Sequence, residues 1–297
     1  SETVSTVINV VDLEDGGSIT PTNSTICMGG DSPSISNLVS ATLEDYSSAA
    51  SITYFWEQSF DAVSWTTVAG TESSLAAAAV TGIVTTTYFR RGAEVVNGDS
   101  DSCEILYTIP ITVNVEASIT PTISSSTGAF TFCVGDSPTF ESQTIPAGVV
   151  TYTWSYFNGT STVTSTGTGT TTEVTIVANG YIQLDILTAA GCEYTTRENI
   201  TLADAINTAL TAPTTICPSE SVTISVATTS QATYTFYVGG TQQQESSSAT
   251  FTTTGISRTS SVVITITNAS GCSETVSTVI NVVDLEDGGS ITPTNST

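Results

Sequence analysis

The same 25 residues occur twice in this chain. Residues 1–25 read SETVSTVINVVDLEDGGSITPTNST, and residues 273–297 read the same, letter for letter, at an offset of 272 residues. An identity of that length does not arise by chance. A fixed period also constrains the fold more than local propensity does, because each unit of a repeat array packs mainly against its neighbours. The expectation is one full period of a tandem array plus an overlap. On this reading the chain is a window on a longer fibre-like protein, and its two ends are internal joints.

Composition says what such an array is made of and what it cannot do. Ser and Thr supply 100 of the 297 residues. Thr suits a solvated strand face and Ser suits turns. Against 28 carboxylates stand four arginines (Arg90, Arg91, Arg197 and Arg258), with no Lys and no His, for a net charge of −24. A surface of that sign repels nucleic acid, whose binding depends on basic side chains neutralising phosphates, and it keeps neighbouring fibres apart. Without His there is no Ser-His-Asp arrangement and no His zinc ligand, and without Lys no P-loop or Schiff base. No apolar run approaches the roughly 20 residues needed to span a bilayer. The expected partners are therefore neighbouring repeats of the same chain and other filaments, with no nucleic acid, no membrane insertion and no enzymatic activity.

Shorter repeats set the domain boundaries. Ser18-Ile19-Thr20-Pro21-Thr22 returns at 118–122 and at 290–294, and a looser form, Leu210-Thr211-Ala212-Pro213-Thr214, opens a third unit. Each start leads to an apolar-Cys pair and a turn carrying an acid: Ile26-Cys27 before Asp31, Phe132-Cys133 before Asp136, and Ile216-Cys217 before Glu220. An aromatic strand comes next in each unit. Ile52, Tyr54 and Trp56, then Tyr152, Trp154 and Tyr156, then Tyr234, Phe236 and Val238 alternate, so each trio shares one face. Trp56, Trp154 and Phe236 are expected as core anchors; exposed, the same residues would make a carbohydrate platform.

Late strands (Ile182, Leu184, Ile186 and Val262, Ile264, Ile266) run into Gly191-Cys192 and Gly271-Cys272, each ahead of a closing strand. In the first unit the closing strand carries Ile109, Ile111, Val113 and Val115. The pattern reads as all-β, with tandem immunoglobulin-like β-sandwich domains in a linear array. The divisions are 1–17, the closing strand of a preceding repeat plus a linker; 18–117, 118–205 and 206–289, three domains; and 290–297, the start of the next repeat. The first domain is longest, with insertions near 43–51 and 71–82; within the second, LAAAAV (75–80) reads as loop or edge strand.

The six cysteines form no CxxC motif, and an even count in a Lys-free β chain points to disulfides in an oxidising compartment. Fifteen pairings are possible. The sequential one, Cys27–Cys103, Cys133–Cys192 and Cys217–Cys272, keeps each bridge inside one domain and is the expectation.

Metal candidates are weaker. Asp12, Glu14 and Asp15, repeated as Asp284, Glu286 and Asp287, could hold calcium at a joint or could be a solvated acidic turn. Asn97, Asp99 and Asp101 form a second such group. Neither has EF-hand spacing. No other cofactor is expected.

The first domain carries a longer signature: Tyr54-Phe55-Trp56-Glu57-Gln58-Ser59, then Ser64-Trp65, then Thr85-Thr86-Thr87-Tyr88-Phe89-Arg90-Arg91 ahead of Cys103. It resembles the Ig-like and PKD-like repeats of giant secreted adhesins of Bacteroidota. The other two domains are similar through Cys-x-Gly-Asp-Ser-Pro, Tyr-Thr-Trp and Gly-Cys-Glu; the third departs, with Phe236 in place of Trp. The resemblance implies a structural stalk of a cell-surface adhesin. It also implies export by type IX secretion, attachment at the outer membrane, and a role in surface attachment or gliding motility. The alternative is a pilus or surface-layer subunit assembled by strand donation, with the duplicated strand as donor.

Overall fold

The computed structural model describes residues 2–4, 11–44, 50–68, 70–96, 102–144, 148–167 and 169–283. Asp284, Glu286, Asp287, Asn97, Asp99 and Asp101 lie outside the described residues, as does 290–297. Strands and turns account for the described regular structure, with no helix among these residues.

Strand pairing sorts the chain into three successive sandwiches. The first contains β1 (Leu13–Asp15), β2 (Ser18–Thr20), β3 (Asn23–Cys27), β4 (Ser36–Val39), β5 (Thr42–Leu43), β6 (Ser51–Ser59), β7 (Thr66–Val68), β8 (Thr87–Val96), β9 (Ser102–Tyr107) and β10 (Ile111–Glu116). The second contains β11 (Ile123–Ser125), β12 (Thr131–Phe132), β13 (Thr139–Ser142), β14 (Val149–Phe157), β15 (Thr162–Gly167), β16 (Thr171–Glu173), β17 (Gly180–Thr188) and β18 (Glu193–Leu202). The third contains β19 (Leu210–Thr211), β20 (Thr215–Ile216), β21 (Val222–Val226), β22 (Thr233–Val238), β23 (Thr241–Ser246), β24 (Thr250–Thr253), β25 (Ser260–Thr267) and β26 (Ser273–Val282).

The second sandwich shows the pattern most plainly. One sheet runs β11-β13-β16 and the other β12-β18-β17-β14-β15. The chain crosses between sheets after β11, β12, β13, β15 and β16, and the closing strand β18 lies parallel to β12. This is the immunoglobulin-like Greek key. The third sandwich repeats it strand for strand, as β19-β21-β24 and β20-β26-β25-β22-β23.

Alternation explains the cores. Successive side chains on a strand point to opposite faces. Thus Ile182, Leu184 and Ile186 turn inward against Tyr152, Trp154 and Tyr156, while Gln183 and Asp185 turn outward and bond each other. Val262, Ile264 and Ile266 meet Tyr234 and Phe236 in the same way. Trp56, Trp154 and Phe236 are all buried.

The first sandwich departs from its siblings. Its larger sheet runs β3-β10-β8-β6-β7, with β9 also on β8, and its other face is made of the short pairs β2-β4 and β1-β5. Residues 12–17, expected as a linker, instead supply β1, whose Leu13 is buried against Ala41, Ala93 and Val95 in a second small core. The 71–82 insertion closes the open face as an edge: Leu75 and Ile35 exchange backbone hydrogen bonds, and both are buried.

Candidate functional site

The feature the three sandwiches share is the way each meets the next. Their six cysteines occupy two kinds of position. Cys27 ends β3, and Cys133 and Cys217 each come directly after the short parallel strand of their sandwich. That strand lies beside the last residues of the closing strand: Cys27 opposite Glu116, Phe132 opposite Leu202, Ile216 opposite Val282. These three cysteines therefore sit at the downstream end of their sandwiches. Cys192 and Cys272 each come one residue before the closing strand, and Cys103 is the second residue of β9. They sit at the upstream end.

This placement overturns the expected pairing inside domains. A ten-residue closing strand separates the two cysteines of the second sandwich, and another separates those of the third. Ten residues of strand span about 33 Å, whereas a disulfide needs Cα atoms roughly 4.4–6.8 Å apart. Cys27 instead bonds Cys192, with Cα atoms 5.5 Å apart, and Cys133 bonds Cys272, at 5.6 Å. Each bridge joins the downstream end of one sandwich to the upstream end of the next. Cys217 is a free, exposed thiol. None of Cys27–Cys103, Cys133–Cys192 and Cys217–Cys272 is formed.

Local hydrogen bonds hold both halves of each bridge in place. At the downstream end Asp136 accepts from the Cys133 N–H at 2.9 Å, and the Asp136 N–H returns to the Cys133 carbonyl. Gly135 makes this turn with φ 91°, a conformation that disfavours most other residues. The acid after Cys133 is thus part of the turn that presents the sulfur; after Cys27 it is the Gly30 N–H that returns to the cysteine carbonyl, and Asp31 accepts from the Gly82 N–H instead. At the upstream end Thr188 and Asn268 hold equivalent places. The backbone N–H of each bonds the carbonyl of the cysteine four residues on, and the side-chain oxygen of each accepts from that cysteine's N–H.

Both side chains also reach back across the joint. Thr188 Oγ1 bonds Glu116 at 3.1 Å, and Asn268 Nδ2 donates to the Asp204 carbonyl at 2.9 Å. Tyr194 adds a bond to the Ala117 carbonyl. Burial, and the Glu116 carboxylate beside it, push the Tyr194 phenol up. At the second joint the disulfide borders a cleft of about 640 Å³ whose lining includes Asp136, Asp204 and Glu274.

The long signature of the first sandwich is structural. Arg90 pairs with Glu57 at 2.6 Å and lies between the rings of Trp65 and Tyr107, at 4.1 and 3.7 Å from their centres. Neighbouring side chains on a strand point opposite ways, and Arg91 is wholly buried. Its guanidinium donates to Asn37 Oδ1 and to the carbonyls of Ser73, Gly16 and Val39, over the face of Tyr54. Gly17 accommodates this clamp: its φ is 76°, and an added Cβ would overlap the Val39 carbonyl oxygen.

Asp12, Glu14 and Asp15 are not gathered around one point. Asp12 faces Glu104, Glu14 lies near Thr42, and Asp15 accepts from the Gly17 N–H. Among the described residues no group of three or more His, Cys, Asp or Glu side chains is placed to hold a metal ion. No helix of the described residues is long and apolar enough to cross a membrane.

A family model described as a domain of unknown function (DUF8696) matches residues 15–117, the first sandwich. No curated protein sequence matches the chain. The chain is similar, at 14% identity and a TM-score of 0.42, to the structure of part of a 1.5-MDa bacterial ice-binding adhesin, over 93% of this chain and 98% of that one. It is also similar to fibronectin(III)-like modules of Clostridium thermocellum CbhA, at 11% identity and a TM-score of 0.30, over 58% of this chain and 100% of that one. A third likeness is to the amphioxus IgVJ-C2 molecule, at 15% identity and a TM-score of 0.23, over 51% of this chain and 99% of that one. Likeness at this level says nothing of ligand or activity.

Proposed function

We propose that this chain is a load-bearing segment of a giant repetitive cell-surface adhesin, a stalk that carries tension between a cell and whatever the adhesin grips. The observation that carries this reading is the pair of disulfides across the joints. A bridge inside a sandwich would stabilise one fold; a bridge from one sandwich to the next carries load past the folds. Pulled from its ends, the chain transmits force along the shortest covalent path, which uses both the Cys27–Cys192 and Cys133–Cys272 bonds, so residues 28–132 and 193–271 are shielded. Unshielded, they would extend by roughly 3.5 Å each, about 640 Å in all.

The repeat, the Ser/Thr-rich strands and the acidic surface fit a filament of many such units. Disulfides persist in oxidising compartments, which suits an extracellular location. The resemblance of the Trp56–Arg91 signature to Bacteroidota adhesin repeats extends the proposal to type IX export, outer-membrane attachment and a part in surface attachment or gliding. Strand donation is not favoured: β26, the second copy of the duplicated strand, is already paired in its own chain, with β25 on one side and β20 on the other.

Single-molecule pulling tests the reading. The oxidised chain should show a final contour length shorter by at least about 500 Å than the reduced chain. Equal contour lengths before and after reduction would overturn it.

A further inference from the structure

Two joints are bonded, and one free thiol stands where a third bond would start. Cys217 occupies the same turn as Cys133. The Cys217 N–H donates to Glu220 at 2.9 Å, as the Cys133 N–H does to Asp136, and the Glu220 N–H returns to the Cys217 carbonyl. Ser219, at φ 64°, takes the left-handed place of Gly135. Cys217 comes after the parallel strand β20 beside the end of β26, as Cys133 comes after β12 beside the end of β18. The turn that presents the sulfur is thus built on the same hydrogen bonds, and its cysteine is free.

The duplicated residues identify the next unit. Residues 284–297 repeat residues 12–25, and at 12–25 that sequence enters a first-type sandwich as β1, β2 and most of β3. The upstream cysteine of a first-type sandwich is Cys103. It lies near the start of β9, which pairs antiparallel with the end of β8, as Cys192 and Cys272 stand at the start of strands that pair antiparallel with the ends of β17 and β25. Within one sandwich Cys103 has no bonding partner available, because Cys27 is taken by Cys192.

We propose that Cys217 of each 272-residue period forms a disulfide with Cys103 of the next period. Two thiols are then oxidised to one Sγ–Sγ bond. A thiolate attacks the disulfide of an extracytoplasmic thiol oxidant, the second cysteine resolves the mixed disulfide, and the oxidant leaves as a dithiol carrying the two electrons and two protons. Every joint of the array is then bonded by one rule, downstream cysteine to the next upstream cysteine.

Such bonding changes how the array bears load. From Cys192 to Cys217 the chain runs 25 residues, at most about 90 Å, and then passes into the next bond. The two sandwiches that this path crosses measure roughly 60–80 Å end to end. The covalent path is therefore nearly taut before any core opens, and tension reaches each core only through the strand that lies on that path.

This proposal rests on the tandem-array reading, which the mass of the native chain on a denaturing gel tests separately. The bond itself is tested by counting thiols under denaturing, non-reducing conditions after air oxidation of monomeric protein. The 297-residue chain should titrate two thiols, and a chain extended by one further period should still titrate two. Cys103→Ser in the second period alone should raise that count to three, while Cys103→Ser in the first should lower it to one. Four thiols in the two-period chain, or none in the single-period chain, would overturn the proposal.

Discussion

Arg91 is enclosed by four oxygen acceptors, one from a side-chain amide and three from the backbone, with no carboxylate among them. Burial pushes its pKa down. Arg91→Met keeps much of the volume but strands those acceptors; an unsatisfied buried group costs about 1–3 kcal/mol. The variant should lose about 3 kcal/mol or more from the first sandwich in urea unfolding, and leave the other two unchanged. Arg90→Ala, at a partly buried ion pair and ring stack, should cost only about 1 kcal/mol. The sequence showed that two adjacent arginines on a strand face opposite ways. It did not show which would be interred, since the four acceptors come from residues as far apart as Gly16 and Ser73.

At the Asp12–Glu104 contact the two carboxyls set a pH dependence of definite sign. The Asp12 side chain raises the Glu104 pKa, so the folded state binds this proton more tightly than the unfolded one. The contribution to stability is full below the unfolded pKa and is lost as pH rises through the folded value. Glu104→Gln should raise the melting temperature of the first sandwich at about pH 7 and leave it nearly unchanged at about pH 4. Asp61 has the opposite sign. Bonds from the Ser64 and Val63 N–H groups and from Ser59 hold its carboxyl well below the usual range, so its contribution is present above the unfolded pKa and fades as pH falls. Asp61→Asn should flatten the acid limb of the same melting curve.

At the scale of the element, strands and their faces were legible because alternation is local: Ile182, Leu184 and Ile186 sit one residue apart from their outward neighbours, and the period is visible in a single strand. The cysteine pairing was not legible, because it depends on which end of a sandwich each residue reaches. Cys133 and Cys192 belong to one sandwich yet lie at opposite ends of β18. A clue was present: each second cysteine comes at the start of the closing strand, and the first cysteine beside its finish. The five residues Ser-Ile-Thr-Pro-Thr show the same limit, forming β2 at 18–20 but no strand at 118–120. The bonded joints carry a prediction of their own. Both cysteines of the second sandwich are bonded, whereas Cys217 of the third is free. Reduction should therefore accelerate amide exchange most in β14, β17 and β18, measured by mass spectrometry. An equal change in all three sandwiches would contradict this.

For the whole molecule, the joint rather than the sandwich is the unit that matters. Small domains of this size bury a modest share of their surface and are marginal alone. An array of them survives tension if load passes through covalent bonds between neighbours. The repeat was legible from the duplicated 25 residues. The bonds between neighbours were not, since the parallel pairing that puts each first cysteine beside the finish of its closing strand is fixed only by the fold. Disulfide mapping of the unreduced protein, by protease digestion and mass spectrometry, decides between bridges within domains and bridges between them. Linked peptides containing Cys27 with Cys192 and Cys133 with Cys272 are expected. Linked peptides joining Cys27 to Cys103, or Cys133 to Cys192, would contradict a chain bonded at its joints.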